Sequence, residues 1–132
     1  MPRHILSEDR IHPAIRTQVS SSYENIVTEV STAVAENAVV VVGMSQNPHP
    51  MKARRLLKKH NIPHAYLEYG SYLSEWRRRN ALKMWSGWPT FPMIFVHGTL
   101  IGGASDLIAL QSSGELTTLL SAGRAHHNAG EA

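Results

Sequence analysis

The chain has 132 residues and a mass of 14.6 kDa, enough for one domain with a single core. Apolar residues make up 42% and charged residues 17%, a globular composition, and no apolar run approaches the roughly 20 residues needed to span a bilayer. There is no cysteine, which excludes disulfides, thiolate catalysis, and cysteine-ligated zinc or iron–sulfur sites built from this chain alone, and the formal charge of +3 permits nucleic-acid contact without arguing for it.

Residues 1–21 are polar and mixed, with Pro13 and a serine run at Ser20, Ser21 and Ser22. They read as an N-terminal extension, partly ordered at best. The first ten residues have no apolar stretch and carry Glu8 and Asp9, unlike a secretory or transit signal, so a cytoplasmic protein is expected. From Tyr23 to Asn37 the spacing of Ile26, Val27, Val30 and Val34 predicts a helix, with Ser22 as its N-cap. Val39, Val40, Val41 and Val42 follow, four β-branched residues that predict a strand buried on both faces. A loop dense in breakers comes next, from Gly43 to Pro50. Met51 to His60 predicts a helix with Met51, Leu56 and Leu57 inward and Lys52, Arg54, Arg55, Lys58 and Lys59 largely outward.

Ala65 to Tyr69 alternates and predicts a second strand, and Ser74 to Ser86 a third helix. Met93 to His97 and Leu100–Ile101 predict two further strands joined by a turn at Gly98, hence an antiparallel hairpin. Gly102 and Gly103 break the last strand. A final helix starts at Ser105 and is taken up again over Glu115 to Leu120, and the tail from Gly123 is small and polar. The first two strands, joined through a helix, should run parallel. The expected organisation is an extension over 1–21, a domain over 22–121 and a flexible tail over 122–132. The expected fold is α/β and thioredoxin-like: three layers, with a mixed four-stranded sheet flanked by helices.

One stretch is more specific. Arg79, Leu82 and Lys83 precede Trp88, Pro89, Thr90, Phe91 and Pro92, and Gly102–Gly103 follow after a hairpin. At this spacing the stretch resembles the second half of a monothiol glutaredoxin. The run from Gly102 to Leu116 also resembles the dithiol members, and the similarity covers about residues 22–121. The resemblance implies a cis bond before Pro92. It implies that Phe91 offers its N–H and C=O to the cysteinyl unit of glutathione, with Thr90 nearby. Arg79 and Lys83, four apart on one helix face, would meet the glycine carboxylate. The amides after Gly103, at Ala104 and Ser105, would hold the γ-glutamyl carboxylate at a helix N-terminus. Each feature alone has a plainer reading: a solvated pair of cations, or a glycine turn.

The family's reactive cysteine falls at Asn47 here, and its four-residue motif becomes Asn47, Pro48, His49 and Pro50. The chemistry needs a thiolate, which asparagine cannot supply. Met44 and Gln46 stand where the family has a basic residue, and the short loop leaves no counterpart for the lysine of monothiol members. Asn47 has a structural role instead, as a strong N-cap with Pro48 in the first helical position. His49 is the one group there with acid–base or ligand capacity, and alone it does not make a metal site. His60 and His64 are separated by Pro63, and His126–His127 lie in the tail. No metal or cluster is therefore expected, since the family's way of holding an iron–sulfur cluster requires the missing thiolate.

The leading expectation is a non-redox binding or regulatory module for glutathione or a peptide segment, with no catalytic residue. The alternatives are a glutathione-dependent oxidoreductase or an iron–sulfur-related protein by homology, and a residual enzyme that uses the ligand's own thiol. A further alternative is an interaction subunit or homodimer formed through the extension and the region of Trp76, Trp85 and Trp88. Nucleic-acid binding through Lys52–Lys59 and Arg77–Arg79 is not favoured, because no nucleic-acid motif accompanies those charges.

Overall fold

The computed structural model describes residues 3–21, 24–71 and 74–122. A four-stranded sheet has the order β2-β1-β3-β4. Its strands are β1 (Val39–Gly43), β2 (Ala65–Glu68), β3 (Met93–Val96) and β4 (Thr99–Gly102). β1 runs parallel to β2 and antiparallel to β3, and β3 and β4 form the antiparallel hairpin. The sheet is accompanied by α1 (Pro13–Ser21), α2 (Glu24–Glu36), α3 (Pro48–Lys59), α4 (Trp76–Ser86) and α5 (Ala104–Ser113). Residues 115–122 are helical as well.

The valine run decides the layering. Val39 to Val42 are all 0% exposed, so β1 is covered on both faces. Successive side chains alternate between faces. Val40 and Val42 join the core with Ile26, Val30, Leu82 and Phe95, while Val39 and Val41 join the core with Ala53, Leu57, Leu107 and Leu116. The sheet therefore lies between an α2/α4 layer and an α3/α5 layer, and each helix pair also packs on its own partner.

Two sequence expectations change here. Met51 was expected inward, but it is 54% exposed. Pro50, Ala53 and Leu57 form the buried stripe of α3. The helix begins at Pro48, three residues before the expected start, and residues 50, 53 and 57 then share a face that Met51 leaves by about 100°. The extension is also more structured than its polar composition suggests. A 3₁₀ turn covers Glu8–Arg10, and α1 is capped by His12, whose Nδ1 accepts from the Ala14 N–H at 3.0 Å with Pro13 in the first turn. Ahead of it, the Arg3 guanidinium donates to the Trp85 carbonyl at the end of α4 (3.1 Å). The expected cap at Ser22, the helix start at Tyr23 and the tail histidines lie outside the described residues.

The buried stripe of α3 gives a direct test. Leu57→Ala should lower stability by about 2–5 kcal/mol, as for other buried leucines. Met51→Ala should change it by less than about 0.5 kcal/mol, as for an exposed position. Urea unfolding of the two variants distinguishes this helix phase from the one with Met51 inward.

Candidate functional site

The end of β1, the start of α3, the bend before β3 and the start of α5 meet at one place. Gly43 closes β1 where α3 folds back on it. A Cβ at Gly43 would lie 2.8 Å from the Pro50 Cβ, so the close approach needs glycine. Ser45 ties the following turn to the loop after β2, its N–H and hydroxyl both donating to the Gly70 carbonyl (2.7 and 2.9 Å).

Asn47 is the N-cap of α3. It is only 8% exposed, and both ends of its amide are used. The Oδ1 accepts from the His49 N–H at 3.0 Å, satisfying one of the donors a helix start leaves open. The Nδ2 donates to the Phe91 carbonyl at 3.3 Å, across 44 positions of sequence. Pro48 and Pro50 carry no N–H. The first turn of α3 therefore presents no free backbone donor. His49 and Pro48 are exposed, and Pro50 is buried.

The Phe91–Pro92 peptide is cis, and both residues are buried. This bend is approached from three sides. Asn47 reaches the Phe91 carbonyl. Lys83 on α4 puts its Nζ 5.8 Å from the centre of the Phe91 ring. Gly103, at the start of α5, faces Pro92, since a Cβ there would sit 3.5 Å from the Pro92 carbonyl oxygen. Thr90 is exposed beside the bend.

The start of α5 differs from that of α3. Gly102 has φ 113°, and a Cβ on it would run into the Asp106 carboxylate. That carboxylate accepts from the Gly103 N–H at 2.9 Å. The first intrahelical bond is from the Leu107 N–H to the Gly103 carbonyl. The amides of Ala104 and Ser105 precede it and have no acceptor within the helix. Ala104 is buried and Ser105 exposed.

The structure thus brings together Asn47, Lys83, Phe91, Pro92, Gly103, Ala104 and Ser105. Arg79 is placed differently from the sequence expectation. It is 7% exposed, and its guanidinium donates to the carbonyls of Tyr69 (3.0 Å) and Ser74. The loop between β2 and α4 leaves carbonyls without ladder partners, and Arg79, in the first turn of α4, supplies their donor. The shared helix face with Lys83 does not make the two cations act together. The tryptophans do not form one exposed face either. Trp76 is 54% exposed, but Trp88 is partly buried against the core, and its indole N–H is enclosed. Trp85 is exposed as well, although its ring also lies against Phe95, with ring centres 5.9 Å apart. The Asn47–Phe91 bond had no signal in the sequence beyond the suitability of asparagine as a cap. Among the described residues, no three histidine, aspartate or glutamate side chains gather as metal ligands.

Two tyrosines near the sheet edge have raised pKa values. Tyr66 is pushed up to about 12, first by burial and then by its hydrogen bond to Glu68 (2.9 Å). Tyr69 is also pushed up to about 12, first by burial and then by the charge of Glu29.

A family model described as Glutaredoxin matches residues 39–101. A "Glutaredoxin-like protein" of Dictyostelium discoideum is 43% identical over 98 residues, 74% of this chain and 80% of that protein. A mitochondrial monothiol glutaredoxin, S15 of Arabidopsis thaliana, is 31% identical over 100 residues, 72% of this chain and 57% of that protein. Among solved structures, wheat glutaredoxin matches with a TM-score of 0.67 and 28% identity, covering 77% of this chain and 94% of the other. A buckwheat glutaredoxin–glutathione complex matches with a TM-score of 0.68 at 21% identity, covering 78% and 94%.

Removal of the cap separates the two bonds of Asn47. Asn47→Ala should cost about 0.5–2 kcal/mol in urea unfolding. Asn47→Ser, which keeps a capping oxygen but cannot span to Phe91, should recover part of that loss, and the remainder reports the long-range bond. The tyrosines set a second expectation. Their folded pKa values lie above the unfolded value near 10, so the unfolded chain releases these protons first. Stability is full below about pH 10 and falls as pH rises towards 12. Near-ultraviolet phenolate titration should show a late component that Tyr66→Phe and Tyr69→Phe each reduce. Ordinary titration of both tyrosines would contradict it.

Proposed function

The chain belongs to the glutaredoxin family and contains no cysteine, and from that premise we propose that it binds glutathione or a related γ-glutamyl peptide without thiol–disulfide exchange. The observation that carries this reading is the convergence on the Phe91–Pro92 bend: Lys83 from one side and the open amides of Ala104 and Ser105 from another. A small peptide with a carboxylate at each end finds a donor for each. The ammonium of Lys83 serves one carboxylate, and the α5 amides serve the other, where the helix dipole favours negative charge. Phe91 supplies backbone for an extended segment between them. The buckwheat relative is described in complex with glutathione, which supports the ligand class.

The redox half of the family's chemistry is absent for a physical reason. Exchange requires a nucleophilic sulfur, and position 47 holds a carboxamide whose oxygen and nitrogen are both committed to backbone. Arg79 takes no part in this reading, because it is buried and its Nη1 is bonded to carbonyls of the loop after β2.

Titration of ¹⁵N-labelled protein with reduced glutathione should shift the amides of Thr90, Phe91, Gly103, Ala104 and Ser105. Unmoved amides at millimolar glutathione would overturn the reading. Asn47→Cys should add the missing chemistry. It frees the His49 N–H to donate to a thiolate, whose pKa a helix start lowers. That thiolate would attack glutathione disulfide, forming one mixed disulfide and releasing one glutathione thiolate. Intact mass should show a single glutathionyl adduct on the variant and none on the parent chain.

A further inference from the structure

Outside α3, every lysine and arginine among the described residues except Arg10 is engaged. Arg3, Arg16 and Arg79 donate to backbone carbonyls, Arg78 pairs with Glu29 and Glu75, and Arg77 and Lys83 lie over aromatic rings. Within α3, Arg54 lies over the Tyr66 ring at 4.2 Å. The other four cations of α3, Lys52, Arg55, Lys58 and Lys59, are exposed, and their side chains form no ion pair or hydrogen bond. The helix has no acidic residue of its own. Acids on the elements beside it are used elsewhere: Asp106 accepts from the Gly103 N–H, and Glu68 from the Tyr66 hydroxyl. At about 100° per residue, these four cations and the exposed Met51 fall within an arc of about 120°. Arg55 is near its centre, and the buried stripe of Pro50, Ala53 and Leu57 lies opposite. Lys52, Lys58 and Lys59 each stand three or four positions from Arg55, so like charges repel along the face. The fold gains nothing from this arrangement, and a single glutamate among them would relieve it.

We propose that this outer face of α3 is a docking surface for an acidic helix of a partner protein. The surface does not depend on the glutathione-type reading above. Its charge fixes the sign of the partner, and its shape fixes the class. α3 lies flat, packed on β1 beneath it and on α5 beside it, so it cannot enter a duplex groove as a protruding recognition helix does. A helix that lies in a membrane surface needs a broad apolar face. Here the exposed apolar residues are Met51 and, at the helix start, Pro48. A second helix laid alongside suits both features. From Lys52 to Lys59 the face is about 10.5 Å long, and a helix with carboxylates at i, i+3 and i+7 repeats at the same spacing. Arg55 and Met51, one turn apart, are of the residue types enriched in protein interfaces, and the lysines surround them as a polar rim.

The test is titration of the full ¹⁵N-labelled chain with a synthetic helical peptide that carries glutamates at i, i+3 and i+7 and a leucine beside the middle one. The amides from Met51 to Lys59 should shift, while those of Gly103, Ala104 and Ser105 stay in place. Affinity should fall between about 50 mM and about 300 mM salt, as exposed charges become screened. A triple variant, Lys52→Gln, Arg55→Gln and Lys59→Gln, should bind the peptide at least about tenfold more weakly. Its urea midpoint should be no lower than that of the parent chain, because the repulsion is relieved. A face kept for the fold alone would give the reverse, unchanged binding with a lower midpoint. The competitors are a scrambled peptide of the same composition, a DNA duplex, and vesicles of phosphatidylserine and phosphatidylcholine. Unmoved α3 amides at millimolar helical peptide, equal binding of the scrambled peptide, or tighter binding of the duplex or the vesicles at the same salt would each overturn the proposal.

Discussion

β1 is the element on which everything else is registered. A strand with water on neither face must have its backbone paired on both edges and its side chains covered above and below. Val39 to Val42 meet that demand with β2 on one edge and β3 on the other, α2 and α4 over one face, and α3 and α5 over the other. Because β1 is covered from end to end, its C-terminal end at Gly43 has only one way out, through a tight turn into α3. That exit delivers position 47 to the bend before β3. The antiparallel register of Val42 with Met93 sets the bend opposite the same turn. The site is thus a consequence of how a fully buried strand must end.

What occupies position 47 then decides the chemistry. A helix start with open amides is a good place for an anion, sulfur included. Here the same location is closed by local bonding. One carboxamide caps the helix and braces the neighbouring bend, and two prolines remove the other donors. The start of α5 keeps its amides, because Asp106 bonds to Gly103 rather than to the first helical residues. Two helix ends of similar geometry and opposite chemical character therefore flank one bend. Position 47 is a structural joint between the start of α3 and the bend before β3.

Local rules explain why some of this was legible beforehand. Asn47 before Pro48 predicts a helix cap, and the cap is there, since its oxygen bonds an amide only two residues on. The valine run predicts a doubly covered strand for the same reason: composition over a few residues fixes burial. The hairpin, the parallel pairing of the first two strands and the family resemblance around Trp88 to Gly103 also follow from short-range pattern. The start of α3 was placed late because proline is commonly read as a break, whereas in a first turn it costs no hydrogen bond. That shift turned Met51 outward. α1 went unanticipated because its apolar residues, Ala14, Ile15 and Val19, are few among polar neighbours and its cap is a histidine nitrogen.

The sequence by itself determined the four strands and the helices between and around them, that the sheet is mixed, and that no thiol chemistry can come from this chain, because each depends on residue type or on contacts a few positions long. Only the tertiary structure decided where the long side chains go. Arg79 turns to loop carbonyls, away from its helix neighbour Lys83; Trp88 is packed inward; and the Asn47 amide reaches Phe91 across 44 residues. Such bonds depend on which unpaired backbone groups the packed elements bring within reach, and that is fixed only when the chain has closed around β1.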